Sequence, residues 1–211
     1  MNWTIVQRLL PASAGTRRID RVGQEHPAVS GRDQRILDAV LSVLSQHGIA
    51  GVSIRAVAKQ AGVSLGLVNY YYADKVSLIR AALQRIEAQD IALLDPDPSM
   101  PPLERLVAAL RRVVDPEFLT VEYLSLRLQL WSLAQAHDDF AEINRTAQQR
   151  YRAGLADLIH QARPTLSRQE CDRRAADIDV IQNGIWLTAL LGLDQASLQR
   201  SASRCEAIAL G

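Results

Sequence analysis

The chain predicts an all-α protein in two parts, a three-helix N-terminal unit and a larger helical half, and three observations carry that prediction. Ala, Leu, Arg, Gln and Glu dominate, aromatic residues make up only 5%, and long alternating β-branched runs are missing, so helices are expected almost throughout. Apolar residues recur at three- and four-residue steps in one segment after another, with hydroxyl or carboxylate residues where helices would begin. Two breaks then organise the segments: a glycine between two short helical stretches at residues 53–72, and the proline-rich run Asp95-Pro-Asp-Pro-Ser-Met-Pro-Pro102. With 211 residues, 48% of them hydrophobic, there is ample material for a buried core.

Residues 1–30 hold Pro11, Gly15, Gly23 and Pro27 among polar residues and read as an extension outside the folded unit. Arg17, Arg18 and Arg21 make it basic, which fits either a plain tail or an arm that follows a DNA minor groove. Over residues 33–46 Ile36, Leu37, Val40, Leu41 and Leu44 form a helical stripe, and Gly48 supplies a stop. Ser53 is placed to cap a helix carrying Ile54, Val57, Ala58 and Ala61, which Gly62 ends by taking a left-handed conformation. Ser64 restarts the chain.

In the helix after Ser64, Val68 and either Tyr71 or Tyr72 point inward, while Leu65, Gly66, Leu67, Asn69 and Tyr70 fall near its outward, leading end. Those are the positions that reach base pairs when the second helix of a helix-turn-helix enters a major groove. Gly66 permits close approach to phosphates, Asn69 offers donor and acceptor together, Tyr70 offers a hydroxyl, and Leu65 or Leu67 suits thymine methyls. Ser53, Arg55, Ser64, Tyr71 and Lys75 complete the candidate DNA contacts, with Lys75 as a phosphate clamp. An ordinary αα-hairpin, its tyrosines in the core or on the surface, fits the spacing too.

The residues also carry a resemblance. Ile54-Arg-x-Val-Ala-Lys-x-Ala-Gly-Val-Ser followed by Gly66-Leu-Val-Asn-Tyr-Tyr-Tyr-Ala-Asp-Lys75 resembles the DNA-binding signature of the TetR family of bacterial regulators, matching it at Ala61, Gly62, Val63, Ser64, Gly66, Tyr71, Tyr72 and Lys75. Within that family it is most similar to the choline-responsive regulators of the betaine pathway. Leu65 stands where the family often has a polar or basic residue, and Asn69 where it usually has tyrosine, which bears on the operator read. The resemblance extends only loosely past residue 101, through helix count, the Trp-x-x-Ala pattern at Trp131 and the Gly-Ile-Trp-Leu stretch at 184–187.

From this follow the expected domains: a DNA-binding unit over 31–75, a connecting helix over 76–94, and a ligand-binding and dimerisation half over 101–211. Asp74 caps the connecting helix, whose apolar positions run from Val76 to about Leu94. Beyond the prolines come a short amphipathic helix stopped near Pro116, then a helix over about 120–136, then one that Asp138 starts and Pro164 closes, then one capped by Ser167 with Glu170 three residues on, then a last one from Gln195 to about Ala209. Residues 185–193 are apolar nearly all round and call for burial on every side, which a monomer rarely supplies. The resemblance implies that the last two helices form a four-helix bundle with a second copy, so a homodimer reading a palindromic operator on double-stranded DNA is expected.

An effector pocket is implied among the later helices. Aromatic surface with a polar handle marks Tyr123, Arg127, Trp131, His137, Tyr151, Gln182, Asn183 and Trp186 as its candidate lining, although each also fits an ordinary core or surface role. A cage of Trp131, Trp186 and Tyr151 would suit a cation. The expected behaviour is that of a repressor released by a small-molecule effector, working in the bacterial cytoplasm and on the nucleoid when bound to DNA. An adaptor that binds protein through its C-terminal helices, with a vestigial DNA-binding unit, is the alternative.

Other classes are disfavoured. Net charge is +1, but residues 1–94 carry 11 basic and 7 acidic side chains against 13 and 16 over 95–211, so the excess positive charge sits with the helix-turn-helix. Cys171 and Cys205 lack a CxxC or neighbouring histidines, and His26, His47, His137 and His160 are scattered, so neither a metal site nor a disulfide framework is expected. No nucleophile-base pairing, phosphate loop or paired carboxylates suggest an enzyme, and no cofactor is expected. The opening MNWTIVQRLLP is interrupted by Gln7 and Arg8, and neither a signal peptide nor a membrane span is read there.

Overall fold

The computed structural model describes residues 31–94, 97, 99–136, 138–192 and 194–211. The reading of residues 1–30 as an extension or arm lies outside these, as do His137, Leu193 and part of the proline-rich run. Among the described residues the elements are α1 Gly31–Gly51, α2 Ile54–Ala61, α3 Leu65–Tyr71, α4 Lys75–Ala92, α5 Pro102–Arg112, a 3₁₀ turn Pro116–Phe118, α6 Val121–Ala136, α7 Asp138–Ala162, α8 Arg168–Leu190 and α9 Gln195–Leu210. None of these helices is long and apolar enough to cross a membrane.

The stripe of α1 becomes the core of the three-helix N-terminal unit, α1 to α3, the expected DNA reader: Ile36, Leu37, Val40, Val43 and Leu44 bury against Val57, Ala58, Val68 and Tyr72. Gly48 breaks the helix as its type suggests, at φ 64°, and one further helical turn carries the chain to Gly51. Polar ties fix the angles. The Ser42 hydroxyl accepts from the amides of Gln46 and Gln60, each at 3.0 Å, pinning α2 to α1. Tyr72, not Tyr71, is the inward tyrosine, and its hydroxyl donates to Asp33 at 2.6 Å, closing the end of α3 onto the start of α1.

The reader's core does not end at α4. Leu126, Leu130 and Leu133 of α6 and Phe140 of α7 belong to the same buried cluster, so the reader is seated directly on the larger half rather than tied to it by α4 alone. Arg85 of α4 also pairs with Asp38 of α1 at 3.3 Å. The larger half has two further clusters. One joins α5, α7, α8 and α9 through Leu106, Leu110, Leu155, Ile159, Cys171, Ile178 and Cys205; the other joins Leu93, Val113, Leu124, Ile185, Trp186 and Leu198. Both cysteines are free and buried, and burial pushes the Cys205 thiol up to about 12. Ser167 caps α8, its hydroxyl accepting from the Glu170 amide at 3.2 Å.

The apolar stretch in α8 is only half covered. Ile185 and Trp186 are buried, but Val180 (65% exposed), Leu187 (43%) and Leu191 (61%) lie open. Steps of four, three and four residues place them with Gly184 on one face of α8. A Cβ at Gly184 would meet nothing within 4 Å, so packing within the chain does not require a glycine there.

Candidate functional sites

The N-terminal site is built from capping chemistry. The Ser53 hydroxyl accepts from Ala56 N at 3.1 Å and starts α2; Gly62, at φ 64° and ψ 38°, ends it, while Val63 N reaches back to the Ala58 carbonyl at 3.1 Å. Ser64 starts α3 in the same way, accepting from Leu67 N at 3.2 Å. Because these caps fix where α3 begins, they fix which side chains look outward. Val68 is fully buried; Leu65, Gly66, Asn69, Tyr70 and Tyr71 are exposed, and Leu67 is half-buried. Tyr70, 81% exposed, stands edge-on to Tyr71 with ring centres 5.3 Å apart. A Cβ at Gly66 would meet nothing within 4 Å. Arg32, Arg35, Arg55 and Lys59 are exposed on the same three-helix unit.

Lys75 makes a contact within the protein that spacing does not show. Its ammonium donates to the Ile49 carbonyl at 2.7 Å, tying the first residue of α4 to the end of α1. Ile49 follows the kink at Gly48, and the Lys75 ammonium is held by the protein's own backbone at the start of α4.

The second site is a solvent-open cavity with about 50 Å³ of free volume between four helices. Glu87 and Asp90 come from α4, Arg127 and Trp131 from α6, Asn144, Gln148 and Tyr151 from α7, and Asp179, Asn183 and Trp186 from α8. Arg127, Trp131, Tyr151, Asn183 and Trp186 are thus brought together. Tyr123 is not in the lining; it stands behind it, donating to Asp90 Oδ1 at 2.6 Å. Gln182 is fully buried and accepts from the Tyr151 hydroxyl at 2.8 Å. Sequence reasoning missed Glu87, Asp90, Asn144, Gln148 and Asp179. A signal existed for the first two, since they interrupt the apolar stripe of α4 one helical turn apart.

The aromatic cage has a different occupant from the one expected. The Arg127 guanidinium lies 3.7 Å from the centre of the Trp186 ring, 5.3 Å from Trp131 and 5.8 Å from Tyr123, and is ion-paired with Asp90. Two of the three rings expected to cage an external cation, Trp131 and Trp186, therefore face the chain's own. Burial opposes the Arg127 charge, but Asp90 and Tyr123 more than offset it, and the guanidinium's pKa is raised. Burial likewise holds the Tyr123 and Tyr151 hydroxyls well above the usual tyrosine range. The other two carboxylates are paired at the rim: Glu87 with Arg150 at 3.1 Å and Asp179 with Arg152 at 2.6 Å, Asp179 also accepting from Asn183 at 3.3 Å.

Comparison with known proteins bears on both sites. Residues 36–82 match the family of bacterial regulatory proteins, tetR family, and residues 102–209 match the BetI-type transcriptional repressor, C-terminal. The chain is 24% identical over 164 residues to the HTH-type transcriptional regulator BetI of Klebsiella pneumoniae (strain 342), covering 76% of this chain and 83% of the relative. With the BetI of Vibrio campbellii it is 26% identical over 164 residues, covering 76% and 81%. Among solved structures, a transcriptional regulator from Pseudomonas aeruginosa PAO1 superimposes with a TM-score of 0.71 at 23% identity, over 83% of this chain and 86% of that one. A regulator from Saccharomonospora viridis in complex with choline does so with a TM-score of 0.65 at 21% identity, over 84% and 94%.

Proposed function

We propose that this chain, which belongs to the TetR family of bacterial regulatory proteins and carries the family's BetI-type C-terminal half, works as a homodimer that occupies a two-fold operator and is released by a small molecule entering the α4, α6, α7 and α8 cavity. That it is a DNA-binding transcriptional regulator follows from the family, and both matched segments belong to regulators, which leaves the adaptor alternative without support. The observation that carries the mechanism is the outward face of α3. It presents Asn69 and Tyr70 outward beside a glycine whose missing side chain serves no contact within the protein.

The dimer reading rests on the open face of α8. Val180, Gly184, Leu187 and Leu191 form an apolar stripe with a small residue in it, which suits close packing against the same face of a second copy. Leu187→Glu is expected to convert the dimer to monomer, read as a halved mass by sedimentation equilibrium with unchanged helical circular dichroism. A variant that stays dimeric places the interface elsewhere.

Coupling would run through two helices. Glu87 and Asp90 line the cavity from α4, and α6 turns Arg127 and Trp131 to the cavity while Leu126, Leu130 and Leu133 join the reader's core. A ligand that prefers one setting of α4 against α6 would shift the reader with it. Since half-sites lie about 34–36 Å apart, a displacement of a few ångströms weakens simultaneous docking. The relative described with choline supports a small organic effector for this fold; the effector of this chain depends on its own lining.

Selection of bound sequences from random duplex DNA tests the reading and should return a palindrome. Tyr70→Ala should weaken binding to all sequences alike, while Asn69→Ala should relax the preference at one position per half-site. Equal affinity of wild type and both variants at every salt concentration would sink the assignment of α3.

A further inference from the structure

The cavity's own chemistry narrows what it can take, granted the reading above that it is the effector site. We infer that its ligand is a small zwitterion, an ammonium and a carboxylate on a short aliphatic spacer, with Arg127 receiving the carboxylate and Glu87 and Asp90 the ammonium. Three features carry this.

The first is the occupied cage. A quaternary cation binds by lying on an aromatic face, and the Trp186 face is covered by the Arg127 guanidinium at 3.7 Å. A cation kept off that face is held best by donating hydrogen bonds to the carboxylates beside it, which a primary or secondary ammonium can do and a quaternary one cannot.

The second is hydrogen-bonding capacity of both signs left over by the protein. Among the described residues, both hydrogen bonds that Arg127 donates leave from Nη1, to Asp90 and to the Tyr123 hydroxyl, and its buried Nε has no partner. A guanidinium with a side chain 9% exposed and a free edge asks for an acceptor, best a carboxylate. On α4 the side chains of Glu87 and Asp90 line the same cavity one helical turn apart. Their hydrogen bonds fall on Oε1 of Glu87 and Oδ1 of Asp90, and Oε2 and Oδ2 have none among the described residues. Those oxygens are left to accept from a ligand's donors.

The third is charge. Glu87, Asp90 and Asp179 are matched one for one by Arg150, Arg127 and Arg152. A ligand of either single charge would leave a net charge in a half-enclosed site, whereas a zwitterion leaves the set neutral. Size agrees, since about 50 Å³ of free volume holds a few water-sized groups and not a large ring system. Such a ligand bridges α4 and α6, the two helices that meet the reader.

The test compares 4-aminobutanoate with n-butylamine, butanoate and tetramethylammonium on the full chain, by thermal shift and by the fluorescence of Trp131 and Trp186. Wild type should melt roughly 5 °C higher at a 4-aminobutanoate concentration 100 times its Kd, and should respond at least about tenfold more weakly to the other three. Glu87→Gln and Arg127→Met should each cut the zwitterion's affinity about tenfold or more, with circular dichroism reporting the fold. The inference is overturned if tetramethylammonium, the amine or the acid matches the zwitterion on wild type, or if none of the four binds. Operator binding without ligand is measured alongside. A chain that binds its operator and ignores 4-aminobutanoate remains a regulator and loses only this inference.

Discussion

Gly66→Ala is expected to weaken operator binding about tenfold or more while leaving the melting temperature of the protein unchanged or higher. The two effects have separate causes. Gly66 lies inside α3, where alanine is the better helix former by roughly 0.5–1 kcal/mol, and a Cβ there meets no atom of the protein within 4 Å. Nothing in the folded chain resists the substitution. Its cost falls on whatever approaches from outside, because the first turn of α3 must come close to the DNA backbone for Asn69 and Tyr70 to reach the groove. Circular dichroism melts and gel shifts on one preparation separate the two. If Gly66→Ala binds its operator like wild type, the leading end of α3 does not make that approach.

The reader was legible because its signals are local. Ser53, Gly62, Ser64 and Asp74 act on the backbone within three or four residues of themselves, so caps and turn can be read from spacing, and the helix starts set by them decide that Val68 goes in and Tyr70 out. The hydrogen bond of Lys75 was not legible in the same way, because its partner, the Ile49 carbonyl, is 26 residues away in the chain. The cavity shows the same limit more sharply. Aromatic residues with polar neighbours pointed to Trp131, Asn183 and Trp186, and the lining includes them. Periodicity has no means of showing that Arg127 would lie on Trp186, since that contact joins residues 59 apart in the chain, with Asp90 arriving from a third helix. The half-covered face of α8 was visible as an apolar excess, but which residues remain open, Val180, Leu187 and Leu191, follows only once Ile185 and Trp186 have turned inward.

Asp90→Ala should be the most damaging single substitution at the cavity, lowering the melting temperature by roughly 6–12 °C, about 3 kcal/mol at 2–4 °C per kcal/mol for a chain of this size. Asp90 is the carboxylate that meets both the Arg127 guanidinium and the Tyr123 hydroxyl. Its loss leaves a buried positive charge stacked on Trp186 without its counter-ion and a buried hydroxyl without its acceptor. The cost is that of uncompensated burial rather than of a lost attraction, so it should be relieved by removing the charge. Arg127→Met in the Asp90→Ala background should recover most of the loss, because a flexible apolar side chain can refill the space over Trp186. The two single variants and the double, melted at one protomer concentration so that association does not intrude, form a cycle whose coupling should reach about 2 kcal/mol. Additive single effects would mean that Arg127 keeps its place over Trp186 without Asp90. The aromatic stack would then be what holds the guanidinium, and α4 would have no electrostatic hold on α6.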